Sequence, residues 1–198
     1  RSYYRFNTKT GRKTLVLKGN DKYGNIVFDN EGNPRLAGRL DPGTKETINY
    51  YRLPGDTSWT EYGERHDLDE KEHLYRVLSG VHGAIGLHPT DPKLVYYVDN
   101  PDSDKAALWE YDLTQGKRVR KLFEAKDADV LGIQRSSNFW GGDFTMVAAR
   151  YPGAKMERHW FNEEEKALYE QFEKNIPNAH SVTITSRSRD GQTLVVRN

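Results

Sequence analysis

Tyr3-Tyr4-Arg5-Phe6 returns as Tyr50-Tyr51-Arg52-Leu53 and again as Leu108-Trp109-Glu110-Tyr111. A recurrence at roughly 50 residues points to one supersecondary unit used several times, which constrains the fold more than any single motif does. Each copy runs into a turn and a second β-prone segment: the turn at 7–11 precedes 13–17, that at 54–58 precedes 59–62, and that at 112–116 precedes 119–123. Further hairpins lie between these. Segments 24–28 and 35–40 flank Asp29-Asn30-Glu31-Gly32-Asn33-Pro34, a cluster of turn formers between two short β-prone runs. The same shape recurs with 83–87 and 94–98 around His88-Pro89-Thr90-Asp91-Pro92, and with 130–133 followed by 146–150. Two hairpins per repeat make four strands per repeat, the composition of a propeller blade. The expected fold is therefore mainly β: a β-propeller fragment of about four four-stranded antiparallel blades. Residues 1–18 would end one blade, 24–62, 80–124 and 129–176 would form the next three, and 180–198 would begin another.

Helical patterning is sparse. Asp69 to Leu78 supports a short helix, and the stronger case is a helix at 162–175, where Phe161, Ala167, Leu168 and Phe172 recur near helical spacing. Asn162 with Glu165 three residues on makes a capping box, and Pro177 follows the end. This helix replaces an outer strand or loop of the fourth blade. The chain opens on Arg1-Ser2 directly before a strand, without an initiator Met, and stops inside the β-prone run Leu194-Val195-Val196-Arg197-Asn198. It reads as a piece of a longer polypeptide.

Hydrophobic residues at 35% and aromatics at 12% are enough for a packed core in a chain of 198 residues, so disorder is excluded. Lys and Arg number 30 against 29 Asp and Glu, and the two signs are interspersed. Nucleic acid is therefore not an expected partner. No apolar run approaches the ~18 residues of a membrane helix, so no membrane partner is expected either. The chain reads as soluble, with bacterial cytoplasm and periplasm both open. The absence of cysteine removes disulfides, thiolate catalysis and iron–sulfur clusters.

No Ser has Gly two residues before it, so the strand-turn-helix elbow of a serine hydrolase is absent and no catalytic residue is expected. His66, His73, His82 and His88 show no His-x-x-x-His spacing and read as hydrogen-bonded or solvated side chains, with no metal site. Gly80, Gly83 and Gly86 lack the Gly-x-Gly-x-x-Gly spacing and precede His88-Pro89, not a helix, so they read as strand-turn glycines. No cofactor is expected. Ser188-Arg189-Asp190-Gly191-Gln192-Thr193 is accounted for by an Asp-Gly hairpin turn. Glu163-Glu164-Glu165 carries two readings. First-turn carboxylates favour the positive end of the helix dipole and need no other explanation; alternatively, two of them hold the terminal ammonium of a substrate.

The ordered set formed by Pro92-Lys93-Leu94-Val95-Tyr96-Tyr97-Val98, Leu108-Trp109-Glu110-Tyr111-Asp112-Leu113-Thr114-Gln115-Gly116, Trp160-Phe161 with the acidic helix and Ile176-Pro177-Asn178, and Ser186-Arg187-Ser188-Arg189-Asp190-Gly191 resembles the N-terminal propeller of bacterial prolyl oligopeptidase-family serine peptidases of the dipeptidyl aminopeptidase and acylaminoacyl-peptidase type. The resemblance covers essentially the whole chain. It implies that the catalytic Ser, Asp and His belong to a C-terminal α/β-hydrolase domain outside this sequence. The propeller would then gate peptide access, and this chain alone would be inactive. It further implies that Glu163 and Glu164 hold the amino terminus of a peptide substrate. The alternative is a stand-alone propeller scaffold for protein or ligand binding, similar to TolB. Either way, the terminal strands at 3–6 and 193–196 would lack neighbours and favour self-association through cut blade edges.

Overall fold

The computed structural model describes residues 2–20, 22–80, 82–101, 103–138, 140, 144–179 and 181–198, excluding the side chain of Val77. Arg1, Asp21, Val81, Asp102, Phe139, residues 141–143 and His180, which fall within or between the expected strands, lie outside the described residues. The protein is mainly β, with antiparallel sheets of two to four strands and, among the described residues, two helices. The chain divides into two compact units, one of Arg1–Ser79 with Asp112–Lys117, the other of Gly80–Tyr111 with Arg118–Asn198.

The first unit opens with a hairpin of β1 (Tyr3–Phe6) and β2 (Lys13–Leu17). The Asn7 side chain closes its turn by accepting from the backbone N–H of Lys9 at 2.9 Å and of Thr10 at 3.0 Å. This is how an Asx residue substitutes for backbone partners in a tight turn. A four-stranded sheet follows, running β3 (Gly24–Phe28), β4 (Pro34–Leu40), β5 (Glu46–Tyr51) and β6 (Thr60–Asp67) in chain order. Ala37, Ile48 and Tyr50 form its small core, with Tyr23, Ile26 and Trp59 packed on it. The short helix α1 (Lys71–Ser79) then lies in the acidic stretch where a helix was expected.

The second unit carries the other four-stranded sheet apart from its 112–117 turn, again in chain order: β7 (Gly83–Leu87), β8 (Leu94–Asp99), β9 (Ala107–Asp112) and β10 (Lys117–Phe123). At the end of β9, Asp112 Oδ1 accepts from the N–H groups of Thr114 at 2.8 Å and Gln115 at 3.0 Å, and Gly116 adopts φ +63° to complete the turn. A three-stranded sheet of β11 (Gly132–Arg135), β12 (Met146–Pro152) and β13 (Met156–Trp160) leads into helix α2 (Glu163–Asn175). The hairpin of β14 (Thr183–Arg187) and β15 (Leu194–Arg197) ends the chain. Each sheet is open; among the described residues none closes on itself.

Period-two alternation places Tyr96 and Val98 of β8 beside Leu108 of β9 on one sheet face. These residues join Ala106, Val130, Met146 and Ala149 in the core of the second unit. A second cluster forms where Tyr169 of α2 meets Val182 and Ile184, and the Tyr169 hydroxyl accepts from the Ile184 N–H at 3.3 Å. Helix α2 sits where expected, but its buried residues are Glu165 and Tyr169, one turn apart, while Ala167 is exposed. Of the expected stripe, Leu168 and Phe172 pack against this cluster, whereas Ala167 and Phe161 are exposed. Tyr169 belongs to the inner face because its ring also packs on Trp160, with centroids 5.1 Å apart.

Candidate functional site

Helix α2 begins as its sequence dictates. Asn162 takes an extended backbone conformation (φ −128°, ψ 116°), and its side chain accepts from the Glu165 N–H at 2.9 Å. That satisfies one of the first-turn donors that have no partner within the helix. The reciprocal half of the expected capping box is not made, because the Glu165 carboxylate turns inward. Its Oε1 accepts from the Ser137 N–H at 2.9 Å and the Ser137 hydroxyl at 2.8 Å, with the Ser136 hydroxyl at 3.4 Å. Both serines are buried just after β11, and Arg187 of β14 donates to the Ser137 hydroxyl at 3.3 Å. Glu165 Oε2 is buried without a partner among the described residues.

Glu163 and Glu164, the expected amine-binding pair, are both exposed at the start of α2. Glu163 forms a 3.3 Å ion pair with Lys166 one turn along. The three acids are therefore divided: two face solvent at the positive end of the helix dipole, and the third is held inside. The Ser137 hydroxyl donates to Glu165 and accepts from Arg187, and both serines are buried.

Histidine and carboxylate meet twice on the second four-stranded sheet. His82 Nδ1 lies 3.0 Å from Asp99 Oδ1, and His82 Nε2 lies 3.3 Å from the Tyr97 hydroxyl. Arg118 contacts the other oxygen of Asp99. Burial alone would raise the Asp99 carboxyl pKa, but the His82 hydrogen bond, the nearby positive charges and the Asn100 N–H together hold it below the usual value. The second pair is His88 and Glu110, with Nε2 to Oε1 at 3.9 Å and Glu110 also clamped by Arg120. Neither histidine faces a serine in these contacts. Among the described residues no group of three His, Asp or Glu side chains could hold a metal ion, and no helix is long and apolar enough to cross a membrane.

Sequence reasoning gave no role to Asp99, Glu110 or Tyr96, and it placed Glu165 in the capping box and the acidic cluster without marking it as the buried member. A signal for Glu110 exists in hindsight: it follows Leu108 by two residues, so a carboxylate shares the face of a core leucine within an apolar strand. No family model, curated protein or solved structure matches this chain.

Proposed function

We propose that this chain contributes non-catalytic β-propeller blades that shape peptide access to a separate α/β-hydrolase domain of the prolyl oligopeptidase type. One observation carries the propeller part. The sequence repeat falls on equivalent strands of successive meanders: Tyr50 and Tyr51 lie on β5, third in β3–β6, and Leu108 to Tyr111 lie on β9, third in β7–β10. The remaining copy, Tyr3 to Phe6, is β1, followed by a single partner strand as a third strand would be by a fourth. In β11–β13 the third strand is followed by α2, consistent with a helix in the outermost position. On this reading, exposed Tyr4, Phe6 and Val195 are covered by neighbouring blades or by a second copy.

The whole reading frame of the gene is expected to encode a Gly-x-Ser-x-Gly elbow followed by Asp and His. A fluorophosphonate probe should label that whole product and leave the 198-residue chain unlabelled. A whole product that lacks the elbow and does not react overturns the peptidase reading in favour of the stand-alone binding scaffold.

The role of Glu163 and Glu164 is tested in the same whole product. Changing both to Gln should raise KM for peptides with a free amino terminus ~10-fold, while N-blocked peptides are unaffected, because only the former lose a charge-assisted bond. Equal effects on both substrates would leave the pair with its helix-dipole role alone.

A further inference from the structure

On the face of the β7–β10 sheet that carries Leu108, an open cleft of about 390 Å³ is lined by His88, Tyr96, Glu110 and Arg120, with Met146 and Phe161 at its apolar side. Glu110 is the one carboxylate in that lining, and both its oxygens are engaged: Arg120 Nε donates to one at 2.9 Å and Nη2 to the other at 2.6 Å. The clamp leaves Arg120 Nη1 without a partner among the described residues, on a side chain that is 66% exposed. His88 Nδ1 accepts from the Asp91 N–H at 3.0 Å, which puts the ring proton of the neutral tautomer on Nε2, toward Glu110 but beyond hydrogen-bond distance at 3.9 Å.

Tyr96 is 4% exposed, and its hydroxyl makes no hydrogen bond among the described residues although it lines the cleft. Burial raises its pKa, so at neutral pH it is a phenol able to donate. The polar side of the cleft thus presents N–H and O–H donors, while its one carboxylate is already taken. Lys121 also lines the cleft, with its ammonium paired to Glu124 at 2.7 Å, so the donors that remain are Arg120 Nη1 and the Tyr96 hydroxyl. Such a surface is complementary to an anion, and the planar Arg120 guanidinium suits a carboxylate. Leu122, Met146 and Phe161 supply the apolar part of the lining. Phe161, 40% exposed, stands edge-on to His159 at 5.0 Å, and His159 stacks on Phe123 at 4.1 Å.

We propose that this cleft binds a small organic carboxylate with an aromatic or branched apolar body, the anionic group on Tyr96 and Arg120 and the body against Met146 and Phe161. The inference is independent of the peptidase reading, because every residue it uses belongs to this chain. Isothermal titration calorimetry with N-acetylphenylalanine is expected to show saturable binding, with N-acetylphenylalaninamide ~10-fold or more weaker, since the amide forfeits the charge-assisted bonds. Tyr96→Phe removes only an unbonded hydroxyl, so the fold should persist while carboxylate affinity falls ~10-fold. Phe161→Ala, at an exposed position, should weaken N-acetylphenylalanine but leave acetate unchanged. Equal affinity for carboxylate and amide, wild-type affinity in Tyr96→Phe, or full displacement by equimolar inorganic phosphate would overturn the assignment.

Discussion

Leu108→Ala is expected to lower the unfolding free energy by about 2–5 kcal/mol, the range for removing a leucine side chain from a core that cannot collapse around the gap. Leu108 has no exposed surface and sits in the cluster of Tyr96, Val98, Ala106, Val130, Met146 and Ala149. Its neighbours are held from several directions: Tyr96 and Val98 on the adjacent strand β8, Met146 and Ala149 on β12 of another sheet. Strands fixed by their own ladders cannot move inward by a methylene without breaking register, so much of the cavity should persist. Leu78→Ala, at a position 75% exposed on α1, is the control and should change stability by less than ~0.5 kcal/mol. Urea unfolding at neutral pH reads both. A Leu108→Ala midpoint equal to that of the control would mean that this cluster is not the core of its unit.

The hairpins were readable because they are local. Asn7, Asp29 and Asp112 each bond backbone N–H groups within four residues, so a short window of sequence contains both the donors and the acceptor. The repeat likewise marks β5 and β9 in the sequence. The partners of buried charges were not readable, because they come from distant segments. Glu163, Glu164 and Glu165 are equivalent in the sequence; Glu165 is the buried one because Ser136 and Ser137, a whole sheet earlier in the chain, arrive at its carboxylate. Glu110, inside β9, and Asp99, at the end of β8, look like ordinary polar positions until Arg120 and Arg118 are seen beside them. Local chemistry specifies where strands turn, and tertiary packing decides which charged side chains stay inside.

Asp99 is where that second decision should have its largest measurable consequence. Its side chain is 4% exposed, and it receives His82 Nδ1 at 3.0 Å, Arg118 on the other oxygen, and the Asn100 N–H at 2.9 Å. Replacement by Ala leaves the His82 ring, itself 10% exposed, beside a cavity and without its carboxylate. A loss of about 2–4 kcal/mol is expected at neutral pH, somewhat below a fully buried ion pair because Arg118, 37% exposed, can turn to water. Asp99→Asn preserves the shape and should cost less, and it isolates the charge. The folded-state pKa of Asp99 is held below the usual carboxylate value, so the charged form stabilises the fold above the unfolded pKa of ~3.9, and that contribution disappears as pH falls through the lower folded value. The stability difference between wild type and Asp99→Asn should therefore shrink progressively as pH falls below ~4. Urea midpoints measured from neutral pH to the acid limit of the native state test this directly. A difference that stays the same throughout would show that the Asp99 charge is not favoured by folding, and the His82 and Arg118 contacts would then contribute shape alone.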